Sequence, residues 1–453
     1  MAHIPQLRPD VPGRPIDVLM SPIHGFLRVE AAAGVLLLVC TMFAVVWANS
    51  PWSESYHHFW HTDVSVEFGD HALTLSLAHF VNDALMAVFF FVVGLEIKRE
   101  LLVGELASPR KAMLSIVAAL GAMAAPALIF VLCNTGTENV RGWAIPTATD
   151  IAFAVGVMAM LGRRIPLSLK VFLTALAIVD DIAAVIVIAL FYTSEISMFS
   201  FLVANGFLVA SIIANRLGVR TPICYAVIGV LMWVFLLQSG VHATIGGVLM
   251  ALTIPASMRI NGEAFTIFAR RAIKEFEDAG GDRDNIMTNE RRQGAVRGLQ
   301  VACEYVQTPL NRLEHGIHPW VAYLIMPVFA LANAGVTIGD GAVGAITSGA
   351  GLGIVLGLVV GKPLGLILTV WLAVKSGLCK LPEGAAWRHI VGTGFLAGIG
   401  FTMSLFIANL AFRDHDTLDA AKMGILAGSL VSGVTGFLLL RAGGGAVRDD
   451  AHA

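Results

Sequence analysis

Ionisable side chains inside long apolar stretches are the residues of this sequence best suited to chemistry. Such groups are costly in a hydrocarbon environment, so each of them is a candidate functional residue. Six lie within or at the ends of apolar stretches: Asp83, Glu96, Asp150, Asp180, Asp181 and Lys362. Asp83 is interpreted as a structural polar residue, whereas the other five are typical of pathways for ions or protons.

Asp180 and Asp181 are the most informative pair, because they are adjacent in the middle of the apolar stretch 175–187. Two neighbouring carboxylates cannot both be ionised cheaply in a low dielectric, so at least one should hold a proton or a cation near neutral pH. A site that accepts either occupant meets the physical requirement for exchanging a cation against protons. The alternative is a structural pair whose oxygens are satisfied by neighbouring helices.

Lys362 lies near the middle of another apolar stretch, within the run 361–365. A lone lysine in such surroundings would lose its proton or find a carboxylate partner. We therefore expect an ion pair between Lys362 and either Asp180 or Asp181. A purely structural ion pair is the alternative interpretation for this lysine.

Two apolar stretches, one in each half of the chain, contain interruptions at similar depth. Pro146 precedes Asp150 in the first, and the glycine-containing run 398–404 interrupts the second. Such interruptions predict broken helices whose free ends meet at an ion site. Asp150 suits the positive N-terminal ends of such helices, and Lys362 suits the negative C-terminal ends.

The composition places these residues in a membrane protein. Hydrophobic residues make up 57% of the 453 residues and charged residues 14%, with a mean hydropathy of +0.77, whereas soluble chains contain about 25% charged residues. A soluble enzyme is excluded, and the net charge of -2 gives no reason to expect a nucleic-acid partner. The five cysteines are scattered without a C-x-x-C pair, so we expect no disulfide framework, resident metal or cofactor.

Apolar stretches long enough to cross a bilayer number about twelve, since about 20 helical residues cover the hydrocarbon core. They are 29–48, 78–97, 112–133, 143–161, 168–191, 199–214, 222–237, 242–256, 319–338, 351–373, 389–411 and 420–441. The predicted fold class is therefore an all-α polytopic membrane protein, with about twelve transmembrane helices of which two are broken.

The distribution of Lys and Arg predicts the orientation. These residues are concentrated in every second connection and are nearly absent from the others, as expected if the N-terminus lies in the cytoplasm. Both termini should then be cytoplasmic tails, covering residues 1–28 and 442–453. Charged residues in the first tail argue against a signal peptide. The spans occupy 29–256 and 319–441.

Two of the connections between the predicted spans have features of their own, a strand pattern in one and a long polar segment in the other. Residues 64–77 alternate between apolar and polar side chains around a Gly-Asp-His turn, which predicts a small extracytoplasmic β-hairpin. Such a hairpin is marginal alone, so it either pairs with a second subunit or folds onto its own helices. The polar segment 257–318 is interpreted as a long cytoplasmic loop, in which 264–277 could form a helix.

Eight stretches, in order, resemble the NhaA family of sodium/proton antiporters over nearly the full length of the chain. They are Asn82-Asp-Ala-Leu-Met-Ala-Val-Phe-Phe, Gly94-Leu-Glu-Ile-Lys-Arg-Glu, Ala148-Thr-Asp-Ile-Ala-Phe-Ala, Ala175-Leu-Ala-Ile-Val-Asp-Asp, Ser239-Gly-Val-His-Ala-Thr, Leu313-Glu-His-Gly-Ile-His-Pro-Trp, Gly361-Lys-Pro-Leu-Gly and Gly398-Ile-Gly-Phe-Thr-Met-Ser. The resemblance implies that family's fold, in which inverted repeats contain two crossing broken helices.

The resemblance also implies roles for individual residues. Asp181 matches the principal cation ligand, and Asp180 matches its titrating neighbour, which is paired with the lysine at the position of Lys362. Asp150 and Thr149 match broken-helix residues near that site. A further set matches positions linked to a response to pH: Glu96, Glu100, His242, Glu314, His315 and His318.

The activity implied by the resemblance is electrogenic. More protons enter than sodium or lithium ions leave, no cofactor is needed, and the exchange is activated at alkaline pH. A bacterial inner-membrane location among lipid and a homodimer formed through the hairpin are also implied. In one departure from the family, the segment before Leu313 is longer than usual, so the pH profile could differ. A sodium-coupled solute symporter and a cation channel are the alternatives.

Overall fold

The structure is a computed structural model that describes residues 32–68, 71–193, 196–279, 289–339 and 342–443. The predicted tail 1–28 lies outside these residues, as does the part of the predicted tail 442–453 beyond residue 443. The described chain is mostly helical and contains two short strands.

The helices follow one another with short connections. Those of the first part are α1 (Ala32–Ala48), α2 (Ser53–Trp60), α3 (Leu77–Val103), α4 (Pro109–Cys133), α5 (Ile151–Met160), α6 (Leu167–Phe191), α7 (Met198–Arg216), α8 (Pro222–Ser239) and α9 (Ala243–Thr253). Those of the second part are α10 (Gly262–Asp278), α11 (Glu290–Val306), α12 (Pro309–Asn333), α13 (Ala342–Thr347), α14 (Gly349–Lys375), α15 (Trp387–Ala397), α16 (Phe401–Ala411) and α17 (His415–Gly443). Short 3₁₀ helices cover Glu105–Ala107, Glu138–Thr147 and Gly162–Arg164.

Most of these helices are suited to a bilayer. Among the described residues, nine helical segments are long and apolar enough to cross it, or eleven when each of two bent helix pairs counts as one span. Helix α9 is apolar but shorter, with 11 residues. Each predicted apolar stretch overlaps a described helix, so the prediction of a polytopic helical membrane protein is confirmed. The exact number of crossings stays a prediction.

The segment 257–318 differs from the predicted loop. It contains α10 and α11, which pack against each other, and the first turns of α12. The helix predicted for 264–277 lies within α10. Hydropathy placed the start of the next span at residue 319, because the first turns of α12 are polar. Thr308 nevertheless starts that helix at Pro309, since its hydroxyl accepts the Asn311 N–H at 3.2 Å.

Two antiparallel strands lie where the hairpin was predicted. β1 (Asp63–Phe68) pairs with β2 (His71–Ser76), with Asp63 opposite Ser76. Ser76 then caps the start of α3, because its hydroxyl accepts the His79 N–H at 3.2 Å. The strands therefore lead directly into the first helical turn of α3.

Both predicted helix interruptions are present, and they touch each other. The 3₁₀ helix Glu138–Thr147 ends in extended backbone before α5 starts at Ile151. Helices α15 and α16 meet at a bend of 41°. The Asp150 N–H donates to the Ile399 carbonyl at 2.7 Å, which joins the two interruptions.

Helix α14 packs closely beside these interruptions. A Cβ atom at Gly361 would lie 2.7 Å from the Cα of Pro126 on α4, so only glycine allows the two backbones this approach. The next residue, Lys362, is one of the largest fully buried side chains among the described residues. The close packing of α14 on α4 thus holds an ionisable side chain in the interior.

Candidate functional site

One carboxylate links the starts of two helices. Asp150 caps α5, because its Oδ1 accepts the Phe153 N–H at 3.0 Å. Its Oδ2 accepts the backbone N–H of Thr402 at 3.1 Å and also the Thr402 hydroxyl. Thr402 lies in the first turn of α16, so Asp150 satisfies free donors and opposes the positive end on both helices. This is the role that the sequence predicted for Asp150.

Lys362 and Thr149 face the C-terminal ends of the two helical segments that come just before the interruptions. Lys362 Nζ donates to the Thr147 carbonyl at 2.6 Å, at the end of the 3₁₀ helix. The Thr149 hydroxyl lies 3.1 Å from the Ala397 carbonyl, at the end of α15. Donors therefore face carbonyl groups at both C-terminal ends. Each of the four helix ends at the two interruptions thus has a polar partner. The two N-terminal ends face the carboxylate of Asp150, and each C-terminal end faces a hydrogen-bond donor.

Asp180 joins these groups into one network. Its Oδ2 accepts the Thr149 hydroxyl at 2.6 Å and forms an ion pair with Lys362 Nζ at 3.2 Å. Asp180 is 2% exposed and Lys362 is 0% exposed, so this pair is isolated from solvent. The sequence predicted a pair with Asp180 or Asp181, and the structure selects Asp180.

Asp181 is close to negative groups, and one of its two carboxylate oxygens has no hydrogen-bond donor among the described residues. It is 2% exposed, and its Oδ2 accepts no hydrogen bond from the described residues, nor does Oδ1 of Asp180. Asp180, Glu96 and Asp150 all lie close enough to repel it electrostatically. A buried carboxylate in this position needs a proton or a cation as its partner.

Oxygen-bearing side chains lie against the buried carboxylates, among them the hydroxyl groups of Thr149 and Thr402. Among the described residues, no three carboxylate, thiol or imidazole side chains converge as a metal site. Hard oxygen ligands of this kind suit a small, hard cation.

Five of the six residues assigned to the pH response lie together, at the C-terminal end of α3 and the start of α12. Arg99 connects them, with distances of 3.3 Å to Glu100 and 3.4 Å to Glu314. His318 Nε2 lies 4.0 Å from a carboxylate oxygen of Glu96. The fifth, His315, is one residue from Glu314, and its Nδ1 lies 2.9 Å from the Asn311 carbonyl.

The sixth residue, His242, is at the opposite end of α3. Its Nε2 lies 2.6 Å from the Tyr192 carbonyl, where α6 ends and α9 begins. It interacts electrostatically with Asp83, which lies in a π-helical turn at the start of α3. The structure therefore does not bring His242 together with the other five residues.

Sequence reasoning missed two participants. Thr402 lies within the interrupted run 398–404, and its position in the first turn of a helix marks it as a candidate ligand for Asp150. Arg99 lies between Glu96 and Glu100 on one helix, and a half-buried arginine among carboxylates is a candidate ion-pair partner. Both were identifiable only once the neighbouring helix was known.

The fold and the site together define a polytopic membrane transporter for ions. Helices of membrane-spanning length surround two helix interruptions, and buried carboxylates and a lysine meet where these interruptions touch. Inside lipid, irregular backbone and charges of this kind occur where a helix pair binds an ion.

Comparison with known proteins gives the family. Residues 24–440 match the family model described as Na+/H+ antiporter 1. The chain is 51% identical over 437 residues to the Na(+)/H(+) antiporter NhaA of Oleidesulfovibrio alaskensis, covering 95% of this chain and 97% of the relative. It is 50% identical over 427 residues to the Na(+)/H(+) antiporter NhaA of Koribacter versatilis, covering 94% and 92%. The chain belongs to the Na+/H+ antiporter 1 family.

Proposed function

We propose that this protein is an electrogenic antiporter that extrudes sodium or lithium in exchange for inward-moving protons. The observation that carries the proposal is the buried carboxylate of Asp181, which lies beside the Asp180–Lys362 ion pair and whose Oδ2 accepts no hydrogen bond from the described residues. The family membership favours antiport over a solute symporter or a cation channel. The transported ions are the substrates, and no cofactor is involved.

Competition at one site explains the exchange. When Asp181 is ionised, a sodium ion can bind it, together with Asp180 and oxygen ligands such as Thr149. When Asp181 is protonated, the same oxygens no longer attract a cation. A change in the arrangement of the broken helices then exposes the site to the other side of the membrane.

Net charge movement requires a second proton. Asp181 accounts for one proton per sodium ion, because the two occupants exclude each other. The Asp180–Lys362 pair is the nearest group able to take up or release another, and the Thr149 hydroxyl holds Asp180 beside it. This arrangement supports an exchange of more than one proton for each sodium ion.

The response to pH is assigned to the cluster around Arg99. Protonation of Glu96, Glu314 or His318 would change the charge balance between α3 and α12, and Glu96 interacts electrostatically with Asp181. Acidic conditions add protons both to this cluster and to the transport site. Activity should therefore fall at acidic pH and rise at alkaline pH. The role of His242 would be exerted separately, near Asp83.

The location that fits these features is the bacterial inner membrane, with both termini in the cytoplasm. The cluster around Arg99 then faces the cytoplasm, and the two strands face the outside. Tags at the N- and C-termini should be protected from protease in intact cells and accessible in everted vesicles. Cleavage in intact cells, without lysis, would contradict this orientation.

Purified protein in proteoliposomes tests the electrogenic exchange. Sodium-driven proton movement is measured at several pH values while valinomycin and potassium set the membrane potential. We expect a rate that depends on the potential and increases from acidic to alkaline pH. Exchange that is indifferent to the potential would show an electroneutral mechanism, and exchange that is fastest at acidic pH would contradict the proposed activation.

A further inference from the structure

Three aromatic side chains from three helices form a buried layer beside the site. Phe406 of α16 lies with its ring centroid 5.5 Å from that of Phe90 on α3 and 6.4 Å from that of Phe329 on α12. All three side chains are buried. Phe406 is one helical turn beyond Thr402, which contacts Asp150. The aromatic layer therefore begins directly next to the ion site.

Three asparagine side chains from the same three helices form a second layer. Asn409 Nδ2 donates to Asn333 Oδ1 at 2.7 Å, and Asn333 Nδ2 donates to Asn82 Oδ1 at 2.8 Å. Asn333 is 3% exposed, whereas the other two are partly exposed. The three amides thus form a continuous ladder across α3, α12 and α16.

The two layers lie in series along the helices. Asn333 follows Phe329 by one turn and is the last residue of α12, while Asn409 follows Phe406 by one turn near the end of α16. Asn82 is close to the start of α3, directly after the strands. Along α16 the order is ion site, aromatic layer, amide layer and helix end. In the proposed orientation, that end faces the outside.

The residue types suit a barrier that must open and close. Stacked aromatic rings exclude water without fixed charges, so they do not bind a passing cation. Amide–amide hydrogen bonds close the gap above them and are individually modest, because water can replace either partner when the layer opens. Asn409 belongs to a broken helix, whereas Asn82 and Asn333 belong to uninterrupted neighbours that pack outside the pair.

We propose that Phe90, Phe329, Phe406, Asn82, Asn333 and Asn409 form the outer gate of the ion path. In the described conformation the gate is closed, because the aromatic contacts and both amide hydrogen bonds are formed. Release of sodium to the outside then requires the Asn409–Asn333 bond to break as α16 moves. This inference rests on the proposed antiport function, since a gate has meaning only for a transported ion.

An outer gate and a purely structural amide ladder lead to different expected effects of Asn409→Ala. In Asn409→Ala the closed state loses one hydrogen bond, so the population shifts towards the outward-open state. The apparent KM for sodium should fall at the outer face and rise at the inner face, and the ratio of the two KM values should change by about fivefold for one hydrogen bond of ordinary strength. A structural role would instead lower the amount of active protein and leave both KM values unchanged.

The experiment measures exchange of radioactive sodium in right-side-out and everted vesicles from the same cells. Asn82→Ala removes the bond that holds the Asn333 side chain in place, so it should weaken the contact between Asn333 and Asn409 and shift both KM values in the same directions as Asn409→Ala. Asn205→Ala is the matched control, because the Asn205 side chain donates only to the Phe201 carbonyl one turn away on its own helix. Its KM values should equal those of the wild type.

The outcomes separate this inference from the proposed function. If wild-type vesicles exchange sodium and both ladder variants keep wild-type KM values, or shift them in one common direction, the outer gate is wrong and antiport stands. If wild-type vesicles do not exchange sodium, the proposed function itself is wrong. Should Asn409→Ala fail to reach the membrane, Asn82→Ala alone decides between the two results.

Discussion

Lys362 and Asp180 illustrate how strongly a buried ion pair depends on both partners. Their charges lie 3.2 Å apart and are shielded from solvent. Removing one charge leaves the other uncompensated, which typically destabilises a protein by about 3–5 kcal/mol. We expect Lys362→Met to unfold at a markedly lower temperature in detergent, and the double variant with Asp180→Asn to recover much of the loss.

The double-mutant cycle separates pairing from packing. A coupling near zero between the two substitutions would mean that Lys362 stabilises the protein through contacts other than Asp180. Neither variant should transport sodium, because both belong to the proposed site. Thermal stability is therefore the informative measurement for this pair.

Thr402 offers a test of how Asp150 is positioned. Its hydroxyl donates to the carboxylate that caps α5 and α16, and hydrogen bonds to such groups contribute about 1.5–3 kcal/mol. Thr402→Val should raise the sodium concentration for half-maximal exchange by about tenfold, whereas Thr402→Ser should restore it, since the hydroxyl is retained. Equal half-saturation in Val and Ser variants would exclude a role for the hydroxyl.

For individual residues, the sequence identified the buried charged side chains but not the residues that contact them in the fold. Asp180, Asp181 and Lys362 could be predicted because each is expensive inside an apolar stretch. The apolar context alone could not decide between Asp180 and Asp181 as the partner of Lys362, since this depends on how α6 and α14 are placed, whereas the family resemblance implied Asp180. Thr402 was missed because a hydroxyl in a helix is common and becomes informative only beside Asp150.

At the scale of elements, the short helix α9 depends on a side chain from α3. Lys98 Nζ donates to the carbonyl groups of Leu252 and Ile254, at 2.6 and 2.5 Å, where α9 ends. A lysine at a helix C-terminus satisfies free carbonyl groups and opposes the negative end of the helix.

Replacing Lys98 should therefore loosen the contact between α9 and α3. We expect Lys98→Met to lower the free energy of unfolding by about 1–2 kcal/mol, measured by thermal unfolding in detergent. Lys375→Met is the control, because the ammonium of Lys375 stacks on the exposed Trp371 ring at 4.5 Å, whereas that of Lys98 donates to carbonyl groups of another helix. If Lys375→Met lowered the free energy of unfolding more than Lys98→Met does, a capping role for Lys98 would be excluded.

Helices in lipid were easier to predict than helices in the polar segment. Apolar length alone located the spans, because a bilayer imposes a minimum length on each of them. The pair α10 and α11 was interpreted as mostly loop because its charged residues have both signs and no long apolar run. Each helix buries one narrow face against the other, around Ala272 and Ala295, and this pattern is weaker in the sequence than a membrane span.

At the scale of the whole molecule, the two strands are the proposed contact between subunits. β1 and β2 pair with each other only, so each has one open edge that could pair with a second copy. Replacing 64–75 by a short flexible linker should convert dimers into monomers in native mass spectrometry. Dimers that persist in this variant would place the subunit interface elsewhere.

The proposed exchange requires that a cation and protons compete for Asp181. Everted membrane vesicles with an imposed pH gradient, read by a pH-sensitive dye, test it most directly. Wild type is compared with Asp181→Asn and with Asp414→Asn, a control at the exposed start of α17.

Sodium or lithium should collapse the gradient in wild type and in Asp414→Asn, and neither ion should do so in Asp181→Asn. If no cation affects the gradient in wild type at any pH, or if Asp181→Asn responds as wild type does, competition between a cation and protons at Asp181 is contradicted.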